Sequence, residues 1–133
     1  MKKLMITIGV ILVILISWIA YNSTKIRLYE GLDVESIAEI HISNIGTRLD
    51  TNDKSKILKI TNYLKNLKLS KRTDTKVPNE SRDTSIELED KNGKVISRIE
   101  LYGYVLIIHP DEEYYTTPTS MYSDLEKMCK EYK

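Results

Sequence analysis

TSIELEDKNGKVISRIEL, residues 84–101, reads as a β-hairpin. Ile86 and Leu88 alternate with Glu87 and Glu89, the period of two that a strand with one buried face requires. Asn92-Gly93 follows, a pair favoured in hairpin turns because both residues tolerate positive φ. Val95, Ile99 and Leu101 are then expected on one face of the return strand, with Ser97 between them.

Working outward toward the C-terminus, Gly103 allows another reversal and YVLIIH (104–109) supplies the next strand. Pro110, Asp111 and Glu112 turn the chain, and EYYTT (113–117) adds a short edge strand. A final helix is expected over 120–132, with Met121, Leu125, Met128 and Tyr132 as its apolar stripe. Ser123 to Glu126 matches the S-x-x-E capping box and offers a later start. Toward the N-terminus, SIAEIHIS (36–43) alternates: Ala38, Ile40 and Ile42 on one side, Ile37, Glu39 and His41 on the other. Residues 44–47, with Gly46, read as a turn. In NDKSKILKITNYLKNLK (52–68), Ile57, Ile60, Leu64 and Leu67 recur at helical spacing. Thr51 or Asn52 is the expected cap, with Asp53 in the first turn and Lys65 and Lys68 near the end. Residues 71–83, with Pro78 and Asn79, read as a loop. The order β-α-β-β-β-(β)-α predicts an α+β domain, an antiparallel sheet with two helices on one face.

Before this domain stands MKKLMITIGVILVILISWIAYNSTKIR. Residues 4–21 carry no charge, and eighteen helical residues span roughly 27 Å, close to the ~30 Å hydrocarbon core. Trp18 and Tyr21 end the run, where amphipathic rings favour the headgroup layer. A cut after Ala20 would place Trp18, and a cut after Ser17 would place Leu15, where a signal peptidase prefers a small residue. The expectation is an uncleaved signal anchor, the alternative being secretion after cleavage. Lys2 and Lys3 before the span nearly balance Lys25 and Arg27 after it, and the short leading tail favours a C-terminal domain outside the cell. The organisation expected is a tail at 1–3, a transmembrane anchor at 4–21, a linker at 22–32 and an extracytoplasmic domain at 33–133.

Residues 31–133 carry 16 Lys and Arg against 18 Asp and Glu, a near-neutral balance that argues against nucleic acid as partner. Cys129 is the sole cysteine, so an intramolecular disulfide and a multi-cysteine zinc site are impossible, and no lipid-bearing cysteine follows the apolar run. Cys129 is expected as a small buried hydrophobe. His41 and His109 read as ordinary half-buried or surface side chains, since a two-histidine metal site would need them to converge with a carboxylate such as Asp111. The chain holds no HExxH, GxSxG, P-loop or GxGxxG signature. No catalytic residue, cofactor or metal is therefore assigned, and the chain is read as non-enzymatic.

Two surface features remain. Lys54, Lys56, Lys59, Lys65, Lys68, Lys71, Arg72 and Lys76 stand against Asp74 alone, a net +7 over 23 residues. They form a candidate patch for anionic headgroups or an anionic wall polymer, set against the plainer reading of a solvated helix face. Tyr102, Tyr104, Tyr114 and Tyr115 form a candidate interaction surface, equally explained as core packing in a chain without Phe. The pattern DVESIAEIHISN, a polar turn, SKILKITNYLKNLK, IELEDKNGKVISRIEL and a closing helix resembles a broad group of small membrane-anchored or lipoprotein-like domains of Firmicutes. The resemblance implies an envelope location and carries over no active residue. The function expected is a membrane-anchored binding module of the cell envelope, partnered by an envelope protein or anionic polymer. The alternative is an immunity or inhibitor protein acting on a toxin or hydrolase at the membrane.

Overall fold

A computed structural model describes residues 1–23, 25–77 and 82–133. Helix α1 runs over Lys2–Ser23. It is apolar on every side and its large side chains are all exposed. Its length and composition, over Lys2–Tyr21, suffice to cross a membrane or to act as a signal sequence. The polar hydroxyl of Thr7 is satisfied within the helix, donating to the Lys3 carbonyl at 2.9 Å. That removes the cost of carrying it into hydrocarbon.

Among the described residues, the rest is one eight-stranded antiparallel sheet, two α-helices and a 3-10 turn at Val34–Ser36. The strands are β1 (Lys25–Ile26), β2 (Glu39–Asn44), β3 (Thr47–Thr51), β4 (Leu69–Lys71), β5 (Thr84–Glu89), β6 (Val95–Tyr102), β7 (Val105–His109) and β8 (Glu113–Thr116). They lie in the order β1-β4-β8-β7-β6-β5-β2-β3. Helices α2 (Lys54–Asn66) and α3 (Met121–Glu131) cover one face. This is the α+β architecture expected from the hairpin, with more strands than periodicity revealed.

The buried face collects Ile40, Ile42, Ile86, Leu88, Ile99, Leu101 and Leu106 from the sheet. Against them pack Ile57, Ile60 and Leu64 of α2 and Met121, Leu125 and Cys129 of α3. Cys129 is fully buried, and that burial pushes its thiol pKa up. Thr61 lies inside this layer because its hydroxyl donates back to the Ile57 carbonyl at 2.7 Å. Tyr63 of α2 donates to Asp124 of α3 at 3.0 Å and ties the two helices together.

Several boundaries differ from the sequence reading. The linker at 22–32 is shorter than expected. Lys25 and Ile26 pair with Ser70 and Leu69, and Tyr29 is buried in the core with its hydroxyl 2.9 Å from Ser97 Oγ. Residues 47–51, in which Thr47 is expected in a turn and Thr51 as a candidate helix cap, form β3 because Leu49 and Thr51 can bury opposite Ile42 and Ile40. Leu69–Lys71, unassigned or loop by sequence, forms β4 between β1 and β8. Part of that expected loop, including Pro78 and Asn79, lies outside the described residues. Asp53, rather than Thr51 or Asn52, caps α2, its carboxylate accepting from the Ser55 and Lys56 amides. Lys68 lies beyond the last helical residue. The capping box at Ser123 does not form: α3 already starts at Met121, and the Ser123 hydroxyl donates to the Ser120 carbonyl.

The hairpin forms at Asn92-Gly93, but of the pair only Gly93 takes a positive φ, 75°, and its amide closes the turn on the Asp90 carbonyl at 3.0 Å. Its return strand carries a bulge. Leu88 pairs with Ser97 but Glu89 pairs with Val95, so Ile96 is an extra residue. One inserted residue flips the alternation. Val95 therefore leaves the face of Ile99 and Leu101 and lies with Glu89 on the other side.

Candidate functional site

The second face of the sheet carries no helix among the described residues. Alternation along each strand decides what it presents. Because Ile40 and Ile42 point to the core, Glu39, His41 and Ser43 of β2 point away. By the same register β3 presents Arg48 and Asp50, β5 presents Glu87 and Glu89, and β6 presents Arg98, Glu100 and Tyr102.

These groups pair both across strands and along them. Arg98 Nε donates to Glu87 at 2.8 Å, and Arg48 Nε to Asp50 at 2.8 Å. Glu100 receives Arg82 at 2.9 Å, and His109 Nε2 lies 3.0 Å from it. Tyr102 donates to the same carboxylate at 3.3 Å. Burial works to raise the Glu100 pKa, but Arg82 and His109 outweigh it and the net shift is downward. Asp50 is lowered by Arg48 first and by His41 next.

His41 is the densest point. Its Nδ1 lies 2.6 Å from Asp50 Oδ1. Its Nε2 lies 3.7 Å from Glu39 Oε1 and 3.6 Å from Glu89 Oε1. Partial burial pulls the imidazole pKa down, yet Asp50, Glu39 and Glu89 together raise it above 6.5. A groove of about 460 Å³ opens here, lined by His41, Arg48, Arg82, Glu87 and Glu89 among others. His41 and His109 do not converge, since β5 and β6 separate their strands. Neither imidazole has a hydroxyl or thiol partner among the described residues, so no activated nucleophile is assembled there.

The two surface features expected from sequence are both divided by the fold. Tyr115 belongs to the core, 3% exposed, with its hydroxyl donating to Glu113. Tyr102 and Tyr114 share the helix-free face by register, while Tyr104, 48% exposed, stacks under the Arg72 guanidinium at 5.5 Å. Of the basic residues, Lys54, Lys56, Lys59 and Lys65 ride on α2, and Lys59 Nζ lies 5.4 Å from the Tyr132 ring centre. Arg72 is held by Asp74 at 2.9 Å and Thr116 at 3.2 Å, and Lys71 and Lys76 are exposed nearby.

Lys68 meets a different group of residues, near the apolar helix. With Trp18, Lys25, Arg27 and Glu30 it lines a groove of about 610 Å³ at the end of the apolar helix. Lys25 Nζ donates to Ser70 Oγ at 3.0 Å and lies 5.1 Å from the Tyr21 ring centre. Sequence proximity hid this grouping, because β1 brings Lys25 beside a strand 45 residues away.

Compared with family models, with curated proteins and with solved structures, the chain matches none of them. The fold and these surfaces define an α+β domain that follows a candidate N-terminal membrane span.

Proposed function

We propose that this protein is a membrane-anchored binding module of the cell envelope, non-enzymatic, with an uncleaved span and an extracytoplasmic domain. The observation that carries the reading is the junction of helix and sheet. Helix α1 extends to Ser23, and β1, from Lys25, is already paired with β4. A folded domain so tethered stays at the bilayer surface, with Trp18, Lys25, Arg27 and Lys68 at headgroup level. Three basic side chains against Glu30 favour anionic headgroups there. The helix-free face, with its ion pairs and Tyr102 and Tyr114, is then turned to a partner. The resemblance of the sequence pattern to small envelope domains of Firmicutes points to the same location.

Protease treatment of intact cells carrying a C-terminally tagged chain tests the reading, together with the mass of the mature protein. Loss of a full-length, membrane-bound tag is expected. A protected tag overturns the extracytoplasmic placement, and a mature mass lacking the leader overturns the anchor. Crosslinking in cells from the helix-free face then names the partner. Capture of an envelope protein or wall polymer is expected; capture of a toxin or hydrolase turns the reading into one of immunity or inhibition.

A further inference from the structure

Glu39 and Glu89 are directly opposed across the β2–β5 ladder. Like charges in that position repel. Every other carboxylate described above on this face has an arginine: Asp50 has Arg48, Glu87 has Arg98 and Glu100 has Arg82. Glu39 and Glu89 have no Lys or Arg within ion-pair distance among the described residues; what they share is the Nε2 of His41. That nitrogen lies beyond hydrogen-bond length from both, while Nδ1 is committed to Asp50 at 2.6 Å.

We propose that Glu39, His41 and Glu89 bind a divalent transition-metal ion, with Zn²⁺ the best match. One imidazole and two carboxylates suit Zn²⁺, whose bonds to N and O are about 2.0–2.2 Å long. Ligands at that radius around a tetrahedral ion stand roughly 3.3–3.6 Å apart. The two Nε2-to-carboxylate separations are 3.7 and 3.6 Å, and all three ligand atoms lie within 4.8 Å of one another. Asp50 supplies what metal-binding histidines usually have, a carboxylate on the far ring nitrogen that fixes the tautomer and leaves Nε2 free to coordinate. The ion supplies the positive charge that the opposed glutamates lack. All three ligands come from paired strands, so their spacing is set by the sheet rather than by a loop. The groove beside His41 leaves the fourth position accessible to water or to an acidic group of a partner.

The site does not depend on which way the domain faces. The test is a titration of the untagged full-length chain in zwitterionic nanodiscs with ZnCl₂ against a chelating indicator. One equivalent of Zn²⁺ is expected. His41→Ala and the near-isosteric Glu89→Gln should each weaken uptake at least tenfold, with unchanged circular dichroism, and Asp50→Asn should weaken it about 10–100-fold. His109→Ala should leave it unchanged. No uptake by the wild-type chain overturns the proposal. So does uptake insensitive to both His41→Ala and Glu89→Gln, or uptake lost with His109→Ala.

Discussion

Asp50 on β3 and His41 on β2 are joined at 2.6 Å across the edge of the sheet, and the imidazole is thereby held against Glu39 and Glu89. This gives the fold a pH signature. The groups facing His41 are Glu39 on its own strand, Asp50 with its Arg48 on β3, and Glu87 and Glu89 on β5. The folded pKa lies above 6.5, so the His41 contribution to stability is complete below that value and is lost as pH rises through the folded pKa. In urea unfolding without added metal, His41→Gln should lower the midpoint at pH 5.5 and narrow its deficit by pH 8.5. An equal deficit at both pH values would count against the linkage.

Tyr29 tests where the domain begins. Its ring is buried and its hydroxyl lies 2.9 Å from Ser97 Oγ, with burial pushing its pKa up to about 12. Tyr29→Phe should cost about 0.5–1.5 kcal/mol for the lost hydrogen bond. Tyr29→Ala should cost roughly 3–5 kcal/mol as a large aromatic truncation. A true linker residue would show neither loss in chemical unfolding.

The two faces of α2 should separate cleanly. Leu64 is fully buried, whereas Leu58 is 48% exposed. Leu64→Ala should destabilise by about 2–5 kcal/mol, and Leu58→Ala should stay within about 0.5 kcal/mol of wild type. Similar unfolding midpoints for the two variants would mean that α2 does not pack as described.

The basic groove beside Trp18 should select lipid. Replacing Lys25, Arg27 and Lys68 together by Gln should reduce enrichment of anionic lipids in the annulus of the purified full-length chain, measured by mass spectrometry. The expected loss is about 1 kcal/mol per charge removed, less at high salt. Wild-type enrichment that survives the triple substitution would remove the headgroup role of this groove.

Much of the fold was legible because burial on one face forces a periodic pattern. Ile86 and Leu88, Ile40 and Ile42, and the Ile57–Ile60–Leu64 stripe all point where their spacing requires. The short strands β1, β3 and β4 were not legible. Each carries a single Ile or Leu, too little for an alternation to show, and their pairing energy comes from neighbours distant in sequence. The bulge at Ile96 was hidden for the same reason, since it exists only relative to β5. The surface groupings fared differently. Lysines adjacent in sequence proved to lie on several elements, while Lys68, just before β4, and Lys25 of β1 came together from distant parts of the chain.

The sequence by itself determined the apolar leader, the α+β class, the central hairpin and the two amphipathic helices, because each follows from hydrophobic periodicity within one segment. Only the tertiary structure decided that Tyr29 belongs to the core, that Tyr115 is buried while Tyr104 is exposed, and that Glu39, His41 and Glu89 meet with Asp50 behind them. Those facts depend on strand order and register. Register is set by many weak pairings summed over the whole sheet, and no single stretch of the chain contains them.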